Sequence, residues 1–392
     1  MTKLYLIRHA EAEGNLYRRI HGQYNSLITN NGYRQIKALE KRFQDIPIDA
    51  VYSSDLFRTM TTARAIYVPK GLALHTRPDL REINMGDWED RSFADVDRTD
   101  HEMMALFSAS SPDYRAPNGE SFPEIRRRGV KAILDIAAQH DGQTVAVFAH
   151  GTLIRNILAE FTGVDFHEMY KMKHSDNTAV ALLEIEKGKV TVVFADDNSH
   201  LSEEISTLAQ QNWWKDDPKK ADVNLWFQPA DLDTVEDRDF YLSCREEAWV
   251  NLYGKTDDKY DGQAFLDDAK SAWRRDPRSL TLAMQGSRRV GLLQLALDRA
   301  AGENKGYIAF FYLLPENRGN SLGVQVIGKA VSIYRPMGRD VLQLACSEQN
   351  EMALRFYKKY GFRVTGAAPG AYGSLYQMEK PIGYHNQGDL LL

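Results

Sequence analysis

The chain runs to 392 residues, 43% hydrophobic and 26% charged, with a net charge of -5 and a pI near 6.1. That length is past what a single core fills, so two domains of ordinary soluble composition are expected. The slight acidity leaves no electrostatic footprint for nucleic acid, and no apolar stretch is long enough for a signal peptide or a membrane span.

The first half alternates strand-like and helix-like segments. KLYLI, DAVYSS and TVAVFAH are short, apolar and rich in β-branched or aromatic residues, as buried strands of a parallel sheet are. Gly32 to Phe43 and Phe57 to Tyr67 carry apolar residues at helical spacing. Pro123 to Ala138 reads as another helix, with Ile125, Val130, Ile133, Leu134 and Ile136 facing inward. ALLEIEKGKVTVVFADD is expected as a hairpin turned at Lys187-Gly188. This alternation predicts a layered α/β fold.

The stretch NWWKDDPKKAD breaks the pattern, and a linker is placed at 213–222 between domains at 1–212 and 223–384. The second half opens with helices at Asp233 to Tyr253 and Ala264 to Arg275. The strands SLTLAMQ, RRVGLLQLAL and GYIAFFYLL follow, then a glycine-bearing turn, a helix, the strand DVLQLAC and a last helix. The tail HNQGDLLL is expected to fray. Cys244 and Cys346 offer neither a disulfide framework nor a zinc spacing, which fits a reducing cytoplasm. Cys346, inside VLQLAC, reads as a buried inert thiol.

Functional residues of parallel sheets collect at the carboxyl ends of strands. Arg8-His9 stands at one such end and His150 at another. DLFRTMTTA puts Arg58 in the first turn of a helix, and LREINMGDWE supplies Glu82. Guanidiniums bind phosphate oxygens bidentately and keep their charge. A neutral imidazole can attack phosphorus, a carboxylic acid can protonate the leaving oxygen, and a second imidazole can stabilise the transferred group. Glu89 is the rival acid. His21, His75, His101, His140, His167, His174 and His200 are expected as surface or loop groups. Arg126 to Arg128 read as a solvated helix face, or else as part of a positive rim.

RHAEAEGN, SSDLFRTMTTA, LREINMGDWE and VFAHGTLIR, in that order, resemble the histidine phosphatase superfamily of the phosphoglycerate mutase type, over about residues 1 to 205. The resemblance implies a three-layer α/β/α domain in which His9 is the phosphorylated nucleophile. Arg8, Arg58 and His150 would bind the phosphoryl group, Glu82 would be the proton donor, and Asn15 and Gln23 would help to bind phosphate. No metal is implied. Ala10, Ala12, Asp90 and Thr152 depart from the family's usual Gly, Ser or Thr, Gly and Gly. The half is short for a mutase, so a phosphatase acting on a small phosphorylated metabolite is expected. Catalysis requires a neutral His9 with protons on His150 and Glu82, and an acidic to neutral pH profile.

In the second half, LLPENRGNSLG followed by SEQNEMALRFYKKYGF resembles the GNAT superfamily of N-acetyltransferases, over roughly 222 to 382. A glycine-bearing turn before a helix exposes backbone N–H groups to an anion. The resemblance implies an α+β domain in which the turn Arg318, Gly319, Asn320, Ser321, Leu322 and Gly323 cradles the pyrophosphate of acetyl-CoA. Ser321 replaces one expected Gly, and it would serve there only at negative φ. Phe311 and Leu313 would offer backbone groups to the pantetheine, Asn350 would lie near its arm, and Tyr357 would protonate the leaving thiolate. A small amine is the implied acceptor, its general base unassigned beyond a guess at Glu316. A phosphoglycerate-type mutase in the first half, or a non-catalytic acyl-CoA-sensing module in the second, are the alternatives. A homo-oligomer is compatible with either.

Overall fold

The computed structural model describes residues 1–211, 223–299 and 301–384. The expected linker at 213–222 and the tail HNQGDLLL lie outside the described residues. The chain divides into two compact units, the first holding Met1–Arg91 and Val96–Lys219 and the second Ser92–Asp95 and Lys220–Leu392.

The first unit is built on six strands: β1 (Thr2–Arg8), β2 (Ala50–Ser53), β3 (Leu74–Thr76), β4 (Thr144–Ala149), β5 (Val180–Glu186) and β6 (Lys189–Asp197). Their order is β3-β2-β4-β1-β5-β6. The first four in that order are parallel, with Leu4 opposite Val145 and Val51 opposite Ala146. β5 runs antiparallel to β1, Ile7 facing Val180, and turns into β6 at Lys187-Gly188, both at positive φ as a tight hairpin demands. Four main helices cover the sheet: α1 (Asn30–Phe43), α2 (Phe57–Tyr67), α3 (Phe122–Gln139) and α4 (Gly151–Thr162). α1 and α2 pack with Ile7, Val51, Ala146 and Phe148. α3 and α4 pack together and on β1, whose Leu4 and Leu6 alternate to the face opposite Ile7. Covered on both faces, β1, β2 and β4 had to be apolar throughout.

α3 begins with Ser121 and Glu124 capping each other's backbone, and Pro123 in the first turn. Its inward face departs from expectation. Ile125, Ile133 and Ile136 are buried, but Val130 and Leu134 are half-buried. Gly129 takes a contact position instead, because a Cβ there would meet the Leu153 side chain of α4 at 2.5 Å.

The second unit carries seven strands: β7 (Trp226–Pro229), β8 (Leu280–Gln285), β9 (Arg288–Ala296), β10 (Lys305–Leu313), β11 (Val341–Ser347), β12 (Arg363–Gly370) and β13 (Gly373–Pro381). The order is β12-β13-β11-β10-β9-β8-β7, and only β10 and β11 are parallel. The sequence reading lacked β7 and the β12–β13 hairpin. Helices α5 (Val235–Tyr253) and α6 (Gly262–Arg275) cover the face lined by Leu280, Leu282, Met284, Leu292 and Tyr312. Helix α7 (Gly323–Tyr334) packs on β9 and β10, and α8 (Glu351–Lys359) follows β11. Both cysteines are buried, and burial pushes the Cys346 thiol up to about 11. Among the described residues no helix is long and apolar enough to cross a membrane.

Candidate active site

In the first unit, His9 follows the end of β1, and His150 caps α4 after the end of β4, its neighbour. Their rings lie 5.3 Å apart. The Nδ1 of His9 sits 2.7 Å from the Ala10 carbonyl, which only accepts, so Nδ1 carries the proton and Nε2 keeps its lone pair. The backbone around this ring is pinned from both sides. Ala10 N–H donates to Thr62 Oγ1 at 2.9 Å, and the His9 carbonyl accepts from Asn177 Nδ2 at 2.9 Å and from Thr178 N–H at 3.3 Å.

Arg58 is 1% exposed, yet its contacts are backbone carbonyls: Gly22 O at 2.6 Å, Tyr24 O at 2.9 Å and His21 O at 3.4 Å. Arg8 donates through Nη1 to the Ser175 carbonyl, and its Nε is buried without a partner. Gly151 is small because a Cβ there would lie 3.1 Å from that Nε. Burial, then the Arg58 and Arg8 charges, hold the His9 pKa well below 6.5. Burial, then Arg58, then His9 do the same for His150, while burial lowers Arg58 to about 10. The same surroundings favour the neutral form of His150, against the proton expected on it. His150 Nε2 pairs with Ser54 Oγ at 3.0 Å, and its Nδ1 is buried without a partner.

Glu82 reaches the amino end of α4. Its carboxylate accepts from Thr152 N–H at 2.9 Å, Leu153 N–H at 3.0 Å and its own neighbour Ile83 N–H at 3.0 Å. It lies close enough to bear on the charges of both Arg8 and Arg58. Arg8, His9, Arg58, Glu82 and His150 are thus brought together, and Asn15 and Gln23 border them. Asn15 Oδ1 accepts Ala12 N–H at 3.1 Å, and Gln23 Nε2 donates to Glu82 O at 3.2 Å.

Glu89 is spent elsewhere. It accepts from Gly22, Gln23 and Tyr24 N–H at 3.1, 2.6 and 2.9 Å and from Met85 N–H at 3.1 Å, which fixes the loop whose carbonyls hold Arg58. His21 is a loop group, as expected, but not a surface one: its side chain is 6% exposed, its Nε2–H donates to Asp90 at 3.0 Å, and Asp90 also holds Arg19 at 2.7 Å. Nor are Arg126 to Arg128 a solvated face. Arg126 is buried, and Arg128 grips Glu120 at 2.7 and 2.9 Å and the carbonyls of Asp79, Arg81 and Glu82. Only Arg127 is exposed. Carboxylates and carbonyls on adjoining loops, invisible in a helical pattern, account for both.

Asn177, Ser54 and Thr62 were missed. Asn177 precedes an antiparallel strand, so its amino end shares the edge where parallel strands finish. A polar residue there, in HSDNTAVAL, was the available signal.

In the second unit the β10–β11 ladder runs from Lys305–Val341 to Ile308–Leu344 and stops, although both strands continue to Leu313 and Ser347. The strands part there. Leu314 N–H donates to Val290 on β9, so alternation turns the backbone groups of Leu313 and Phe311 toward the parted edge. The Leu313 carbonyl accepts from Arg318 Nε at 2.9 Å, and the Arg318 guanidinium lies 4.9 Å from the Tyr312 ring. Gly319, Asn320 and Ser321 are exposed. Ser321 has φ +58°, the opposite of the sign required of it, so a serine occupies a glycine conformation. At Gly323 a Cβ would sit 2.9 Å from the Phe356 ring, so the glycine lets α7 approach α8. Asn350 Oδ1 caps α8 by accepting Ala353 N–H at 3.1 Å. Tyr357 packs on Phe362, and burial pushes its phenol pKa up. Glu316 is exposed and stands 3.9 Å from Arg288, with nothing to make it a base. Among the described residues no group of three His, Cys, Asp or Glu is placed to hold a metal ion.

A parallel sheet with paired imidazoles and guanidiniums at its carboxyl edge defines a phosphoryl-handling α/β domain. The chain belongs to the histidine phosphatase superfamily (branch 1), matched at residues 4–198, and residues 241–362 form a GNAT-family acetyltransferase domain. A relative described as a probable phosphoglycerate mutase GpmB of Yersinia pestis (strain Pestoides F) is 32% identical over 173 residues, 44% of this chain and 80% of that protein. The solved structure of YhfR from Bacillus stearothermophilus matches with 28% identity and a TM-score of 0.49, over 51% of this chain and 99% of that one. The α-ribazole phosphatase of Shigella flexneri matches with 25% identity and a TM-score of 0.46, over 50% and 96%.

Two substitutions test these placements. Glu89→Gln removes the charge from a carboxylate that four backbone amides share, and is expected to cost about 2 kcal/mol in a chemical-denaturation measurement. Ser321→Gly relieves the left-handed backbone and is expected to stabilise by about 1 kcal/mol in the same measurement. A neutral Ser321→Gly would mean that the turn bears no strain.

Proposed function

We propose that the chain is a bifunctional enzyme, its first domain (1–212) a metal-independent phosphomonoester hydrolase and its second (223–384) an acetyl-CoA-dependent N-acetyltransferase, joined at 213–222 and working in the cytoplasm. The observation that carries the first half is the His9 tautomer: Nδ1–H is tied to the Ala10 carbonyl, and Nε2 is left bare among two guanidiniums and a second imidazole.

His9 Nε2 attacks phosphorus, the P–N bond forms, and the P–O bond to the leaving group breaks. Glu82 delivers its proton to the departing oxygen. Water then attacks phosphorus, its proton passes to Glu82, and the P–N bond breaks to release inorganic phosphate. Arg8 and Arg58 bind the equatorial oxygens, and the arriving dianion is what draws a proton onto His150. Asn15 and Gln23 line the same pocket. Arg128, by gripping the carbonyls before Glu82, positions the acid rather than touching substrate.

His9→Ala is expected to abolish hydrolysis of a generic aryl phosphate; retained turnover would sink the nucleophile assignment. The attacking ring must be neutral, and its pKa is depressed. Activity should therefore persist as pH falls through 6.5 and be lost only well below it. An acid limb in kcat/KM at or above 6.5 would contradict that electrostatic picture. The relative's name raises a mutase reading, for which exchange of label between phosphorylated substrate and product, in place of net phosphate release, would be the sign.

The second domain is read from the parted β10 and β11 with the turn 318–323 beyond them. Pantetheine would lie along Phe311 and Leu313, with Asn350 near its arm. The pyrophosphate would rest on the exposed N–H groups of Gly319 and Asn320 and the amino end of α7, with Arg318 and Gly323 completing the turn and Ser321, at its positive φ, outside the donor set. The amine attacks the thioester carbonyl, the C–N bond forms and C–S breaks. The thiolate takes the Tyr357 proton, which a raised phenol pKa keeps in place, and the amine's surplus proton passes to water. Calorimetry of acetyl-CoA with the full chain is expected to show micromolar binding that Arg318→Ala weakens. No binding would leave an appended module without its cofactor.

A further inference from the structure

The face of β10 that carries Phe310 and Tyr312 is turned toward α5 and α6. The two rings stack at 6.0 Å, nearly parallel, just past the point where β10 leaves β11. Over Phe310, at 3.8 Å from its centroid, lies the guanidinium of Arg245, flanked by Phe265 at 4.7 Å and Tyr241 at 5.4 Å. Its Nε donates to Tyr241 Oη at 2.9 Å and its Nη2 to Gln294 Oε1 at 2.6 Å. Gln294 is itself buried on β9 and also accepts from Tyr241 at 3.0 Å.

Every hydrogen-bond partner of this cation is neutral, and the Asp268 carboxylate bears on its charge only from beyond contact. Among the described residues no carboxylate lies within ion-pair distance of Arg245, and Nη1 makes no hydrogen bond. Arg289, by contrast, is paired with Asp237 at 2.8 Å and Arg278 with Asp276 at 2.6 Å. A largely desolvated charge with only neutral acceptors is costly to keep. The same signature marks Arg58 in the first domain, whose contacts are carbonyls.

We propose that Arg245 receives the carboxylate of the acceptor, so that this domain acetylates amines of the α-amino-acid class. The inference rests on the reading of the second domain as an acetyltransferase. Planar carboxylate and planar guanidinium match as a fork, and two aromatic faces exclude water from the pair. The amine, two bonds from the carboxylate carbon, is then set against the parted edge of β10, where the thioester is read to lie. One turn beyond Arg245, Trp249 joins Tyr253, Tyr260 and Tyr372 in a ring cluster that already accepts an ammonium, Lys259 Nζ standing 4.0 Å over Tyr372. Arg245 thus selects substrate and takes no part in bond making.

The test uses the full chain with acetyl-CoA and follows thiol release. Glycine is paired with methylamine, and phenylalanine with phenethylamine. The carboxylate-bearing member is expected to have a kcat/KM about tenfold or more the higher. Arg245→Lys loses the fork, and Gln294→Glu fills it with an internal carboxylate that also pins Arg245 and so keeps the fold. Both are expected to collapse that ratio toward unity through KM. A preference for the decarboxylated amines, or a ratio that survives in both variants, overturns the proposal. Calorimetry with glycine and phenylalanine alone separates the two readings. Carboxylate binding that both variants lose, without acetyl transfer, upholds the Arg245 site and sinks the transferase. Acetyl-CoA binding with neither amino-acid binding nor turnover sinks the Arg245 site alone.

Discussion

Almost everything in the first domain's site answers to one buried guanidinium. Arg58 carries a permanent charge with 1% of its surface in water, and the chain meets it with carbonyls of the segment from His21 to Tyr24. Three carbonyls turned one way leave their amides turned another, and Glu89 collects those of Gly22, Gln23 and Tyr24. Burial first, and then the same charge, favour the neutral form of both imidazoles. In the mechanism proposed above that is the reactive form of His9, and protonation of His150 would follow the arrival of a dianion. The site is therefore poised by its empty field and completed by its ligand, which is the electrostatic logic of a phosphoryl-transfer centre.

Arg8, His9, Arg58, Glu82 and His150 were legible because they obey a rule about parallel strands: the residues after them converge. The register brings Arg8 beside Ala149 and so sets the loops after β1 and β4 next to each other. The residues that hold them were not legible, for reasons that differ case by case. Asn177 stands before an antiparallel strand and the rule does not look there. Arg128 lies in a run of three arginines on a helix that reads as amphipathic, and its carboxylate, Glu120, and carbonyls come from loops with no periodicity. His21 and Asp90 are distant in sequence and meet only because Asp90 adopts a left-handed backbone, φ +57°. In the second domain the β12–β13 hairpin escaped because RVTGAAPG is built of glycine, alanine and proline, poor strand formers, and is held by its pairing with β13 rather than by propensity.

The turn at 318–323 shows the converse, a local rule kept at a cost. Its sequence departs from the pattern it resembles at Ser321, yet the backbone keeps the left-handed conformation that glycine takes freely. Gly319 on one side and the tight seat of Gly323 against Phe356 on the other leave the chain between them little choice. Shape is thus set by the flanking glycines, and the residue between them follows.

Arginines of the two domains differ in the company they keep. Arg19 with Asp90, Arg128 with Glu120 and Arg289 with Asp237 each have a carboxylate in contact and tie segments together. Arg58 and Arg245 hydrogen-bond to neutral acceptors alone, with Glu82 and Glu89 acting on the first and Asp268 on the second only from beyond contact. A structural tie would gain from a carboxylate in contact, since pairing offsets most of the desolvation cost. A binding site would lose by it, because an internal carboxylate competes with the ligand for the same fork. On the two proposals made above, the state without a contacting carboxylate is the one that leaves room for an anion, at the carboxyl edge of the first sheet and beside the parted strands of the second.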